Sequence, residues 1–129
     1  MNPLLKVLFI TITCSGLTFA HWVKGHHSTA IYDSENPIEL SGKVVEWQFT
    51  NPHTFIILAV ENEEGEEEIW SLEGSNTSLM FRRGWTPDSL QPGDELIVTV
   101  RPLHSGAPGG NFSNVRNGDG SEFNPRAKR

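Results

Sequence analysis

Past Ile38 the chain begins to alternate between apolar and polar residues. Val45, Trp47 and Phe49 share one face at period two, with Lys43 flanking them, while Glu46 and Gln48 take the other. That spacing predicts a strand over 40–49 whose Val45, Trp47 and Phe49 face lies inside, together with Ile57 and Val98 of later strands. Gly42 suits a bend or bulge within it. Thr50-Asn51-Pro52-His53 breaks the pattern. Proline has no amide donor and the residue before it avoids the helical region, so a turn is expected. Residues 54–60 are apolar on both faces and rich in β-branched and aromatic types, which predicts a central, well-covered strand. An acidic tip around Gly65 turns the chain into a third strand, 68–73, with Ile69 and Leu72 flanking Trp70.

The next segment changes period. Ser75 or Asn76 suits a helix cap before Leu79, Met80 and Phe81. Arg82 and Arg83 match the C-terminal dipole, and Gly84 suits the left-handed residue that ends the helix. Trp85 is expected to pack back onto the sheet. Gln91-Pro92-Gly93-Asp94 places proline before glycine as a type II turn requires. Residues 95–101 read as a fourth strand, 106–110 as a flexible loop and 111–115 as a short fifth strand. The order of three strands, a helix and two strands, with a long bent first strand, predicts a β-rich, essentially all-β domain: a small OB-type five-stranded barrel. An immunoglobulin-like sandwich would need more strands and no helix. The barrel is expected over 38–116, preceded by an arm over 21–37 that Ile31 and Tyr32 partly order. A frayed tail is expected from Asn117 onward.

Residues 1–20 read as a secretory leader. An apolar stretch over 4–12 carries one basic residue, Lys6, and leads to the small-residue site Thr18-Phe19-Ala20. It is too short and too polar to span a membrane well, and no other apolar run approaches that length. Cleavage after Ala20 leaves about 110 residues, one small domain in the periplasm or outside the cell. The single cysteine, Cys14, falls within the leader, so the exported chain has no disulfide and depends on packing. Acylation of Cys14 is the competing reading, and Thr11-Ile12-Thr13 is a poor match to the pattern that lipid attachment needs. The formal net charge is −6 at pH 7. Much of it comes from Glu61, Glu63, Glu64, Glu66, Glu67 and Glu68, a run that reads as a solvated hairpin tip.

The ordered set His26-His27-Ser28, Asn51-Pro52-His53, Trp70-Ser71-Leu72-Glu73, Gly84-Trp85, Pro92-Gly93-Asp94 and Pro108-Gly109-Gly110 resembles a family of small exported bacterial proteins that share a domain of unknown function. The resemblance runs from about Gly25 to Val115. It implies export and a β-rich fold, and it supplies no activity. Members tend to place the His-His-Ser motif close to the cleavage point, whereas Trp22 to Gly25 intervene here. A late His-Pro-Leu segment of the family reads Arg101-Pro102-Leu103-His104 in this chain.

Histidines are the candidates for chemistry, and all five lie after residue 20. Cleavage after Ala20 would give His21 a free α-amino group beside its imidazole, a ready chelate for copper or zinc. His26 or His27, with His53 and a third ligand such as Glu73 or His21, would suit copper(II) or zinc. The bland alternative is that His53 stabilises its turn and the pair orders the arm. Trp47, Trp70 and Trp85 read as core fillers of a small barrel rather than a ligand cleft. Arg82 and Arg83 could bind an anion, but helix pairing explains them at less cost. No nucleophile elbow, catalytic cysteine or phosphate loop is present. The leading expectation is an exported, non-catalytic binding or accessory protein that takes a small ligand, a metal ion or a periplasmic protein partner. A small copper- or zinc-dependent enzyme is the alternative. The acidic balance and expected export argue against nucleic acid, which needs a basic track.

Export with cleavage after Ala20 predicts that N-terminal sequencing of the secreted chain begins at His21. A product starting at Cys14 with the added mass of a lipid would instead establish the lipoprotein.

Overall fold

The computed structural model describes residues 29–127. The expected leader and the candidate ligands His21, His26 and His27 lie outside the described residues. A short 3-10 turn at Thr29–Ile31 precedes β1 (Ile38–Gln48), β2 (Phe55–Glu61), β3 (Glu67–Glu73), α1 (Thr77–Arg82), β4 (Glu95–Pro102) and β5 (Gly109–Asn117). The strands close into one barrel in the order β1-β2-β3-β5-β4. Every pairing is antiparallel except the short parallel one between β3 and β5. This is the five-stranded OB-type barrel that the element order predicts.

The interior is aliphatic. Leu40, Val44, Ile56, Leu58, Val60, Leu72, Leu96, Val98, Val100 and Val115 are buried and belong to one cluster. The inward face of β1 differs from the expected one. The register slips between Val44 and Glu46, so Val44 faces Leu58 inside the barrel, and so does Trp47, opposite Ile56. A bulge takes up one residue, and the phase of alternation shifts across it. Val45 is therefore turned out and 46% exposed, while Val44 is 2% exposed. On β2 the inward set is Ile56, Leu58 and Val60, and Ile57 lies on the half-exposed outer face with Phe55 and Ala59. The strand is central in the sheet but is covered on one face only. Val98 is inside, as expected.

Aromatic residues and α1 plug one end of the barrel. The Asn76 side chain accepts from the Leu79 amide at 2.9 Å and caps the helix. Gly84, at φ +94°, takes the left-handed conformation just past the helix and turns the chain inward. Trp85 then enters the core, with Trp47 at 5.3 Å, Phe112 at 6.2 Å and Phe123 at 5.1 Å between ring centroids. The Trp47 indole N–H donates to Thr86 O at 2.9 Å, so its one polar atom has a partner. Two expectations for the later chain are corrected by this packing. Gly109 and Gly110, expected in a flexible loop, are buried in β5. The segment after Asn117, expected to fray, lies over the plug: Phe123 packs on Trp85, and Ser89 Oγ donates to Pro125 O at 2.8 Å.

The bulge makes a sharp prediction about neighbouring valines. Val44→Ala should cost roughly 1.5–3 kcal/mol, since it deletes buried methyls. Val45→Ala should stay within about 0.5 kcal/mol, as for an exposed site. Trp47→Ala should cost about 3–5 kcal/mol. Equal denaturation midpoints for the two valine variants would show the bulge to be misplaced.

Candidate functional site

The site lies on the rim where the β1–β2 turn, the end of β3, the β4–β5 loop and the arm meet. Barrel shear brings these distant pieces together. Gln48 at the end of β1 pairs with Phe55, Phe55 with Glu73, Glu73 with Asn111, and Asn111 with Arg101. The next residue of β4, Val100, pairs with Ile38 at the start of β1. One circuit of the sheet thus returns to β1 ten residues from where it left. The arm that leads into β1 runs beside the end of β4, with Tyr32 bridged to Leu103, and so comes to the rim from that side. The arm need not double back along the barrel to approach His53.

His53 is positioned by its neighbours in sequence. Thr54 N–H and Thr54 Oγ1 both donate to Ser75 O, at 3.0 and 2.9 Å, and Gly74 N–H donates to Thr54 O at 2.8 Å. Asn51 Oδ1 accepts from the Thr77 hydroxyl at 2.9 Å and its amide at 3.2 Å. The turn is thereby fastened to the end of β3 and the start of α1. His53 Nδ1 then lies 2.9 Å from Glu73 Oε1 and 3.3 Å from Gly74 O. Both neighbours are acceptors, so Nδ1 carries a proton and Nε2 is the ring's basic atom. The two side chains keep 29% and 25% of their exposure, so a small ligand can reach them while bulk water screens them only in part.

Tyr32 completes the chain of contacts. Its hydroxyl donates to Glu73 Oε2 in a short hydrogen bond. The arm is held for this purpose by a bridge between Tyr32 and Leu103, by Asp33 N–H to Pro102 O at 2.8 Å, and by His104 N–H to Ile31 O at 2.9 Å. Burial pushes the Tyr32 hydroxyl well above the ordinary tyrosine range, and the hydrogen bond and negative charge of Glu73 push it further. It therefore stays a donor. The Asn111 side chain donates to Glu73 O at 3.0 Å and fixes the backbone below. Each carboxylate oxygen of Glu73 has one partner, and the carboxylate orients both His53 and Tyr32.

Of the five candidate ligands, the described residues contain His53 and Glu73, and these are in contact. No group of three histidine, cysteine, aspartate or glutamate side chains that could hold a metal occurs among the described residues. Glu73 acts here as the orienting partner of His53. Tyr32 and Asn111 were not singled out by sequence reasoning. The one available signal was that Tyr32 is the chain's sole tyrosine, in an arm without periodicity. Other pieces of the ordered motif set have structural work. Gln91 N–H donates to Asp94 Oδ2 at 2.8 Å in the 91–94 turn, and Gly84-Trp85 builds the plug.

The sole tyrosine gives a clean optical test. Tyrosinate absorbance should appear at higher pH in the native protein than in the unfolded chain. Glu73→Gln should lower the midpoint only in part, because burial, the largest single cause, remains. A raised native value means the folded state favours the neutral phenol. Stability from this group is therefore complete below about pH 10 and is lost as pH climbs above it. An ordinary native midpoint would show that Tyr32 is not held against Glu73.

Among the described residues no helix is long and apolar enough to cross a membrane. A comparison with curated proteins finds no match. The sequence profile of a family of unknown function, DUF6152, matches residues 15–112, three quarters of the chain, and the protein belongs to that family.

Proposed function

We propose that the protein is an exported, non-catalytic binding or accessory protein whose ligand sits on the rim at His53. The ligand of first choice is a copper(II) or zinc ion, taken by His53 Nε2 together with histidines of the arm, from among His21, His26 and His27. The observation that carries this reading is the Tyr32–Glu73–His53 chain of contacts. Histidines that bind metals characteristically donate their other ring N–H to a carboxylate or carbonyl, which fixes the tautomer and raises ligand basicity. His53 Nδ1 faces both kinds of acceptor.

Reach supports the arm as the source of further ligands. Tyr32 is anchored at Glu73, and His27 is five residues before it, a span of about 17 Å when extended. Copper(II) and zinc both favour imidazole and amine nitrogen, and adding an arm histidine to His53 gives a nitrogen-rich set. Glu73 is then the carboxylate behind the ligand rather than a ligand itself.

Copper(II) added to the secreted chain at neutral pH should bind at about one equivalent. The affinity should fall on acidification, because protons compete with the metal for imidazole nitrogen. His53→Ala and a paired His26→Ala, His27→Ala variant should each weaken binding far more than His104→Ala, since His104 sits exposed in the β4–β5 loop. Equal, weak binding by all variants would mean scattered surface histidines, and the metal would then be abandoned in favour of a protein or small organic ligand.

A further inference from the structure

A second cavity of about 500 Å³ opens beside this rim, between α1, the free flank of β5 and the segment that carries Phe123. Its origin is topological. β5 pairs with β3 only over Gly109, Gly110 and Asn111, so from Phe112 onward that flank of β5 faces the helix instead of a strand. On its other side the same stretch of β5 slips in register against β4, between Thr99 and Val100.

The lining is unusual for so acidic a chain. The protein has 16 aspartates and glutamates against 10 lysines and arginines. Yet no carboxylate lines this cavity, while Arg83 and Arg101 both do. Among the described residues the ion pairs are Lys43–Glu95, His53–Glu73 and Arg116–Glu39, so neither guanidinium is neutralised. Asn111 and Ser113 add polar groups, and the part-buried Phe112 supplies an aromatic wall; Trp85 borders the cleft but is itself buried in the plug. The helix C-terminus accounts for one arginine at 82–83, but it does not account for Arg101, which enters from β4. The glutamates of the 61–68 tip stand at the other end of the β2–β3 hairpin from Glu73, so they do not cancel the local charge.

We propose that this cleft binds a small aromatic anion, its carboxylate or phosphate held between Arg83 and Arg101 and its ring laid against Phe112. Guanidinium forks match both headgroups, and charge-assisted hydrogen bonds to them are about twice as strong as neutral ones. The volume is in the range of small-molecule sites. This site is separate from the metal reading of His53 and does not depend on it.

Metal-free protein is titrated with benzoate, phenyl phosphate and inorganic phosphate, followed by nuclear magnetic resonance of the arginine and tryptophan side-chain N–H groups. Saturable shifts at Arg83, Arg101 and Trp85 are expected with at least one of the two aromatic anions, and the one that binds identifies the headgroup. Arg83→Gln and Arg101→Gln should each weaken that binding about tenfold or more. Arg82→Gln, on the helix but outside the cleft, should leave it unchanged. The backbone spectrum of each variant reports that the fold is intact. Absence of saturation with both aromatic anions would overturn the proposal, and so would undiminished binding by both cleft variants. Inorganic phosphate binding as tightly as phenyl phosphate would remove the aromatic wall from it.

Discussion

The close approach of β5 to β3 is the contact on which the rest of the structure depends. A five-stranded barrel closes only if its last strand reaches the third one, and here the seam is three residues long. A Cβ on Gly109 would meet Ser71 O of β3 at 3.3 Å, and one on Gly110 would come within 2.4 Å of Val100 Cγ1 and 2.5 Å of Arg101 O on β4. A side chain there would push β5 off the barrel. Closure at that point puts Asn111 beside Glu73 and brings the β4–β5 loop to the same rim as the β1–β2 turn. It also leaves the remainder of β5 without a strand neighbour, and α1 and the aromatic plug cover only part of that flank. The candidate metal rim and the arginine cleft are thus two consequences of one seam.

On the rim, electrostatics follows from partial burial. A carboxylate that keeps a quarter of its exposure costs free energy unless its oxygens find donors. Glu73 finds two, the His53 ring and the Tyr32 hydroxyl. The arrangement holds the imidazole in one tautomer with its basic nitrogen on the far side of the ring from Glu73. It also ties the arm to the barrel through Tyr32. The triple contact leaves the imidazole oriented, half-exposed and beside an arm that carries further histidines.

The pieces of the ordered motif set divide by what they do. Gly84-Trp85, Pro92-Gly93-Asp94 and Pro108-Gly109-Gly110 build the helix stop, a turn and the seam. Asn51 fastens the turn to α1. His53 and Glu73 are the members whose polar side-chain atoms meet each other on the rim. The proposed binding function would therefore rest on very few side chains, set by a framework that uses most of the remaining motif.

By itself the sequence determined the class and order of elements. Local chemistry carries those signals: alternation for strands, Asn76 and Gly84 for the helix ends, proline and glycine for the 91–94 turn. It also placed His53 and Glu73 at ends of elements that neighbour one another in such a barrel. It misread the inward face of β1, because a bulge shifts the phase by one residue and both Val44 and Val45 are apolar. It missed Tyr32, Asn111 and Arg101 as site residues. Their partners are tens of residues away, and only closure of the sheet with its shear decides that they meet. Tertiary structure also decided that the 118–127 segment packs, since its apolar anchor, Phe123, has meaning only against Trp85. Local pattern fixes which residues can form an element, and the register of a closed barrel fixes which of them share a site.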